Sequence, residues 1–230
     1  MQMKVFAIGD LHLPGQNNKT MDIFGEHWKD HFARIQHDWR GKVSENDTVL
    51  IPGDISWAMH FHAAHEDLMD IAALPGYKIL IKGNHDYWWP GIQKLRHFLP
   101  EKMYALQNDA MEINGIAFCG SRGWTLPHLH QAKKEDLHIF ERELIRLELS
   151  LIKAESFHCP IIGMTHFPPV DEKGEPSQVS RLFSEHCATK VVYAHLHGAA
   201  HKNAFEGLVD NVQYHCVSCD KLSFELFQLL

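Results

Sequence analysis

Long apolar runs are missing from this sequence. No stretch of its 230 residues approaches the roughly 20 consecutive apolar residues that a membrane-spanning helix needs, so we expect no membrane partner. Residues 1–8 predict a strand, and the polar residues that follow are untypical of a signal peptide's apolar stretch and cleavage site. We therefore expect a cytoplasmic protein. The length favours one large domain over residues 1–230 rather than two small ones.

Positive charge is also scarce. The chain has 22 Lys and Arg against 29 Asp and Glu, and its formal net charge is -7. Non-specific binding to nucleic acid needs clustered Lys and Arg residues that neutralise the phosphates. The charge balance therefore disfavours non-specific binding to nucleic acid.

Cysteine is limited to five scattered residues, an odd number that favours reduced thiols over a disulfide framework. Cys216 and Cys219 form a C-x-x-C pair, but no second pair accompanies them, so buried thiols are favoured over a zinc site. Histidine is abundant instead, with 19 residues. This histidine content is the anomaly of the composition.

Strands and helices are predicted to alternate in the first part of the chain. Strands are predicted at residues 4–8, 48–51 and 78–81, with helices at 24–39 and 63–74 between them. The first helix rests on apolar residues at three- and four-residue intervals, namely Phe24, Trp28, Phe32, Ile35 and Trp39. Successive βαβ units predict parallel pairing with right-handed crossovers.

The later part of the chain changes character at Asn114-Gly115, a hairpin turn between predicted strands at 110–113 and 116–119. We expect a second, antiparallel region to begin there. An amphipathic helix is predicted at 131–155, with an apolar stripe of Leu137, Phe140, Leu144 and Leu147. The remaining elements are a helix at 179–186 and strands at 160–165, 190–194, 214–217 and 223–227. The pattern predicts an α/β (or α+β) fold of two sheets packed together and flanked by helices.

Motifs that carry histidine and aspartate follow five of the predicted strands. They are Asp10-Leu11-His12, Gly53-Asp54, Gly83-Asn84-His85-Asp86, His166 and His195-Leu196-His197. Ligands of open α/β sheets gather at the carboxyl ends of the strands. Residues two apart in an extended segment point the same way, so each D-x-H or H-x-H pair can share one ion.

The mixture of carboxylate, imidazole and amide groups suits Mn, Fe, Zn, Co or Ni better than Ca, which takes oxygen ligands alone. Each motif alone is ordinary turn chemistry, such as a Gly-Asp turn or a capped histidine. Ordinary turn chemistry does not readily account for five such motifs that all lie at strand ends. The sequence therefore predicts a metal site.

By these motifs the chain resembles the calcineurin-like metallophosphoesterase superfamily from Asp10 to His197, and its most specific signature is G-N-H-D. The resemblance implies a four-layer αββα sandwich with two mixed sheets packed face to face between helices. It also implies two divalent transition-metal ions. One ion would be held by Asp10, His12, Asp54 and His197. The other would be held by Asn84, His166, His195 and a bridging Asp54.

Two ions held roughly 3.5–4 Å apart bind phosphate oxygens and lower the pKa of a bridging water. The resemblance thus implies a hydrolase in which a metal-bridging hydroxide attacks a phosphomonoester or phosphodiester. His85 is the expected general acid. Small-molecule or nucleotide substrates are favoured, because the chain offers no basic stripe for a macromolecule. The alternatives are a catalytically inactive scaffold with the same fold and a nuclease.

The chain departs from the family pattern after the second motif. Many phosphoprotein phosphatases carry Asp three residues after the bridging aspartate, where it orients the catalytic histidine. Trp57 occupies that position here. Protein phosphatase activity is therefore disfavoured, and the sequence does not identify what orients His85. Ala194 replaces the family's usual Gly in the last motif, which leaves both histidines in place.

Three further groups have competing interpretations. Arg122 is a candidate phosphate clamp, with a solvated turn arginine as the alternative. Tryptophan can wall a substrate pocket, although it packs into cores more often, and the candidates are Trp57, Trp88, Trp89 and Trp124. A last cluster is predicted to lie on the surface at a helix start, and consists of His60, His62 and His65.

Overall fold

The computed structural model describes residues 3–17, 21–127 and 133–230. The chain divides into two units, the first formed by Met1–Ala105 with Val217–Leu230 and the second by Leu106–Cys216. Each unit has its own sheet and its own buried apolar cluster. In the described residues, no helix is both long and apolar enough to cross a bilayer.

The described strands are, in chain order, β1 (Val5–Ala7), β2 (Thr48–Ile51), β3 (Tyr77–Leu80), β4 (Met103–Ala105), β5 (Ala110–Ile113), β6 (Ile116–Ser121), β7 (Ile161–Thr165), β8 (Ala188–Tyr193), β9 (Gly207–Val209), β10 (Val212–Cys216) and β11 (Phe227–Gln228). The α-helices are α1 (His31–Lys42), α2 (His65–Ala72), α3 (Ile92–Phe98), α4 (Lys134–Glu155) and α5 (Gln178–Glu185). The predicted strand at 223–227 is wrong except at Phe227, because the chain turns before β11. The short elements α3, β4 and β9 were not predicted.

The first unit is built on a five-stranded sheet in the order β11-β1-β2-β3-β4. Strands β1 to β4 are mutually parallel, as predicted from the βαβ pattern, and β11 pairs antiparallel with β1. Every residue of β1 and β2 is buried, which is typical of a parallel strand covered on both faces. Parallel pairing brings the carboxyl ends of these strands to one edge of the sheet.

The predicted helix at 24–39 is wrong in its first half. Short 3-10 turns occupy Met21–Phe24 and Glu26–Trp28, and α1 begins only at His31. Gly25 with φ of 132° and Asp30 with φ of 52° interrupt the helical backbone. Phe24 is 57% exposed and lies outside the apolar face. The apolar residues Trp28, Ile35 and Trp39 are buried as expected.

The second unit is built on a six-stranded sheet in the order β5-β6-β7-β8-β10-β9. The hairpin at Asn114 and Gly115 is confirmed, with φ of 52° and 82°. The expected antiparallel region is limited to the pairs β5–β6 and β9–β10, because β6, β7, β8 and β10 are parallel. The helices α4 and α5 supply the long crossovers that parallel strands require.

Helix α4 covers the second sheet, as the amphipathic pattern predicts. Residues 131 and 132 of the predicted helix lie outside the described residues. Phe140 and Leu147 are buried, whereas Leu137 at the helix start is 37% exposed. Two mixed sheets flanked by helices confirm the predicted fold class.

Candidate metal centre

The first two motifs lie on neighbouring loops of the first unit. The backbone N–H of Asp10 donates to the Gly53 carbonyl, and that of His12 donates to the Asp54 carbonyl, each over 3.0 Å. These bonds extend the parallel pairing of β1 and β2 beyond the strand ends. The two loops are therefore fixed to each other by the backbone alone.

Three predicted ligands converge on these loops. A ligand atom of Asp10 lies within 4.8 Å of one in His12 and of one in Asp54, and His12 Nε2 is 3.8 Å from Asp54 Oδ2. All three residues are buried, with exposures of 0%, 3% and 1% for Asp10, His12 and Asp54. Two carboxylates withdrawn from water repel each other. A bound cation would offset that cost, so the donors fit a divalent metal.

The third motif packs directly against Asp54. The backbone N–H of His85 donates to Asp54 Oδ1 over 2.8 Å. A Cβ atom at Gly83 would overlap the carboxylate and the backbone nitrogen of Asp54. Only glycine therefore allows this close approach, and the approach places the half-buried Asn84 and His85 beside Asp54.

Asp86, the last residue of G-N-H-D, joins the second and third motifs. Its carboxylate accepts hydrogen bonds from the backbone N–H groups of Gly83, Ile55 and Ser56 and from the indole Nε1 of Trp88. Asp86 is fully buried, and burial together with the nearby Asp54 carboxylate raises the pKa of Asp86. The sequence shows Asp86 only as part of a signature, since two of its four partners, Ile55 and Ser56, become its neighbours only in the fold.

The second unit brings two predicted ligands together. The backbone N–H groups of His166 and Phe167 donate to the Arg122 carbonyl, each over 3.0 Å, and Ala194 N–H donates to the His166 carbonyl over 3.1 Å. His195 Nδ1 then lies 3.2 Å from His166 Nε2. Nitrogens at this distance can share a proton or ligate one metal ion. His197, also half-buried, precedes the 3-10 turn Gly198–Asn203.

Arg122 is held inside the second unit and is not a solvated turn residue. Its side chain is 17% exposed and lies 3.4 Å from Glu143 Oε1, a carboxylate that is 3% exposed. The guanidinium also lies 4.6 Å from the ring centroid of Trp124. Arg146 approaches the same Glu143 oxygen to 2.8 Å. Any phosphate that Arg122 binds must therefore compete with Glu143.

The remaining sequence candidates divide into core and surface residues. Trp88 and Trp89 are core residues with exposures of 2% and 7%, whereas Trp57 and Trp124 are only partly buried. The histidine cluster lies exposed at the start of α2, as predicted for His60, His62 and His65. The C-x-x-C residues Cys216 and Cys219 are both buried, and neither forms a disulfide. The Cys219 thiol donates to the Asp10 carbonyl.

Four of the predicted ligands have left-handed backbone conformations. Their φ angles are 57° at Asp10, 45° at His12, 51° at Asp54 and 75° at His195. Each such non-glycine residue costs about 1 kcal/mol or more, and such strain clusters at functional sites. Ten other non-glycine residues of the described chain also have positive φ, so the strain supports a functional origin for these loops only together with the convergence of Asp10, His12 and Asp54.

The geometry agrees with comparisons to known proteins. A family model described as calcineurin-like phosphoesterase matches residues 3–199. A solved structure of a protein of unknown function from Aquifex aeolicus is similar in fold, with a TM-score of 0.53 and 16% sequence identity over 99% of this chain and 96% of that chain. No curated protein matches the chain by sequence. The extent of the family match, with the convergent Asp and His residues, shows that the chain belongs to the calcineurin-like phosphoesterase family.

Proposed function

We propose that the chain is a dinuclear metal-dependent phosphohydrolase that cleaves a phosphomonoester or phosphodiester of a small molecule or nucleotide. The observation that carries the proposal is the buried convergence of Asp10, His12 and Asp54 with His85 beside them. The family is generally hydrolytic and typically binds divalent metals, which supports both parts of the proposal.

We assign the ligands as the family motif implies, within one functional domain of residues 1–230. One ion is assigned to Asp10, His12, Asp54 and His197. The other is assigned to Asp54, Asn84, His166 and His195. The donor set fits Mn, Fe, Zn, Co or Ni. When bound, the ions offset the charge of the phosphate and lower the pKa of the attacking water.

His85 is assigned as the general acid that protonates the leaving oxygen. Its backbone is fixed by Asp54, and its side chain is half-buried. Among residues 3–17, 21–127 and 133–230, no side chain forms a hydrogen bond or ion pair with its imidazole. The imidazole nitrogens can therefore face a substrate. Arg122 remains a candidate phosphate ligand that must first leave Glu143.

All five cysteines lie in the described residues and none forms a disulfide, which supports a location in a reducing compartment such as the cytoplasm. The acidic composition supports a small substrate over nucleic acid.

The test measures metal content and hydrolysis of p-nitrophenyl phosphate, bis-p-nitrophenyl phosphate and a nucleotide panel with added Mn, and a parallel assay measures cleavage of DNA and RNA. We expect close to two ions per chain and turnover of at least one substrate. His85→Asn should lower kcat by about 10²- to 10⁴-fold while metal content is kept, and Asp54→Asn should lose both. The exposed His62→Asn is the matched control. Two bound ions without any turnover would favour the scaffold, and turnover of nucleic acid alone would favour the nuclease.

A further inference from the structure

We propose that Trp57 is the positioning residue for His85, and that its indole fixes the proton donor and the ligand His12 relative to each other. The inference rests on the proposed function of His85. The sequence does not identify what orients His85, and packing against the Trp57 ring supplies that orientation.

The indole of Trp57 contacts both imidazoles. It stacks on His12 with a centroid distance of 4.7 Å and an interplanar angle of 17°. It lies at the same 4.7 Å from His85, tilted by 51°. The two imidazoles are 6.0 Å apart. Trp57 is therefore the shared neighbour of a candidate ligand and the candidate acid.

The indole is itself fixed to the core of the first unit. Its Nε1 donates to Met21 Sδ over 3.1 Å, and the Trp57 backbone N–H donates to the Leu13 carbonyl over 2.9 Å. Met21 and Leu13 are buried members of the apolar cluster against which Trp57 packs. Because the indole nitrogen and the backbone of Trp57 are both hydrogen-bonded to core residues, the indole is a rigid surface on which the two imidazoles pack.

His85 has little else to orient its side chain. The described residues supply no hydrogen bond or ion pair to its imidazole. Its other aromatic neighbour besides His12 is Tyr87, with a centroid distance of 6.3 Å, and Tyr87 is 59% exposed. Of the Trp57 and Tyr87 rings, the indole is both the nearer to His85 and the one fixed to the core.

Misplacement of a catalytic group by about 1 Å can cost about 10²-fold in rate. Trp57→Ala should therefore lower kcat by about 10- to 100-fold on esters with poor leaving groups, such as alkyl phosphates, and leave KM unchanged. Esters of p-nitrophenol need little protonation of the leaving oxygen, so their kcat should fall much less. A purely structural role would lower both rates by the same factor.

Two variants control this comparison. Trp57→Phe keeps an aromatic ring beside both imidazoles and should restore most of the alkyl phosphate activity. Phe32→Ala removes a partly buried aromatic residue that packs on the same apolar cluster. It should change stability without separating the two ester classes.

NMR of the Zn-loaded protein tests the packing without reference to turnover. The Trp57 ring current should displace the ring C–H resonances of His85 and His12, and Trp57→Ala should return both to ordinary positions. His85→Asn assigns the first resonance. Unchanged resonances in Trp57→Ala, or equal losses on both ester classes, would overturn the proposal. If the wild-type protein hydrolyses no ester, the proposed function fails, while the resonances still decide whether Trp57 fixes His85.

Discussion

The two units support their candidate ligands by different means. In the first unit, backbone hydrogen bonds join the Asp10 and Asp54 loops, and the buried Asp86 accepts four N–H groups, one from Gly83 and three from residues that closely follow the second and third motifs. In the second unit, His166 depends on the Arg122 carbonyl, and the Arg122 side chain is held by Glu143. Backbone groups around a buried carboxylate cannot rearrange as long side chains can. We therefore expect substitutions in the first unit to reduce metal binding, activity and stability more than substitutions in the second unit.

The largest effect is expected at Gly83. Gly83→Ala places a Cβ into the Asp54 carboxylate, so Asp54 or the third motif must move. We expect a loss of bound metal and a fall in kcat/KM of about 10²-fold or more. Gly91→Ala is the matched control, because nothing lies within 4 Å of its added Cβ. Normal metal content in Gly83→Ala would remove the claim that this loop is rigid.

A large change in stability is expected at Asp86. Asp86→Ala deprives four buried donors of their acceptor, so the free energy of unfolding should fall by about 3–5 kcal/mol. Asp171→Ala in the second unit also removes an acceptor of two backbone N–H groups, but in an exposed turn. It should cost below about 1 kcal/mol. Urea unfolding measures both, and similar losses would contradict the special role of the buried carboxylate.

A pH dependence is expected in the first unit from a further buried carboxylate, Asp67. Burial raises the pKa of Asp67 to about 6 although Ser56 and Gly15 donate to it. Because this folded-state pKa exceeds the unfolded value, the stability contribution is present below about pH 4 and lost as pH rises through about 6. Wild type should lose on the order of 2 kcal/mol relative to Asp67→Asn between pH 4 and 7. If the free energies of unfolding of wild type and Asp67→Asn changed in parallel between pH 4 and 7, the expectation would be refuted.

The smallest effect is expected at Glu143. Glu143→Gln removes the charge that faces Arg122 and Arg146, but the amide oxygen of glutamine can still accept hydrogen bonds from both guanidinium groups. We expect a loss of about 1 kcal/mol in stability and at most about 10-fold in metal affinity. Thermal unfolding and metal titration measure these. If Glu143→Gln lost as much metal as Gly83→Ala, the two units would not differ in how they support their ligands.

The sequence predicted the features that depend on local signals. Apolar strands that end in Asp and His residues place Asp10, His12 and Asp54 on adjacent loops, because parallel pairing follows from the βαβ pattern. The interruption of the first predicted helix was missed, since the spacing of apolar residues does not report the positive φ at Asp30. The roles of Asp86 and Trp57 were also hidden, because Ile55 and Ser56 approach Asp86, and His12 and His85 approach Trp57, from distant segments.

The left-handed backbone at His12 and His195 affects how sequence changes are tolerated. Asn and Gly adopt this conformation more readily than His, so either replacement relieves backbone strain while it deletes an imidazole. Variants of this kind should be inactive and yet melt at a higher temperature, a trade-off known from strained active sites. Soluble expression and a high Tm are therefore poor indicators of whether a variant of this protein is active.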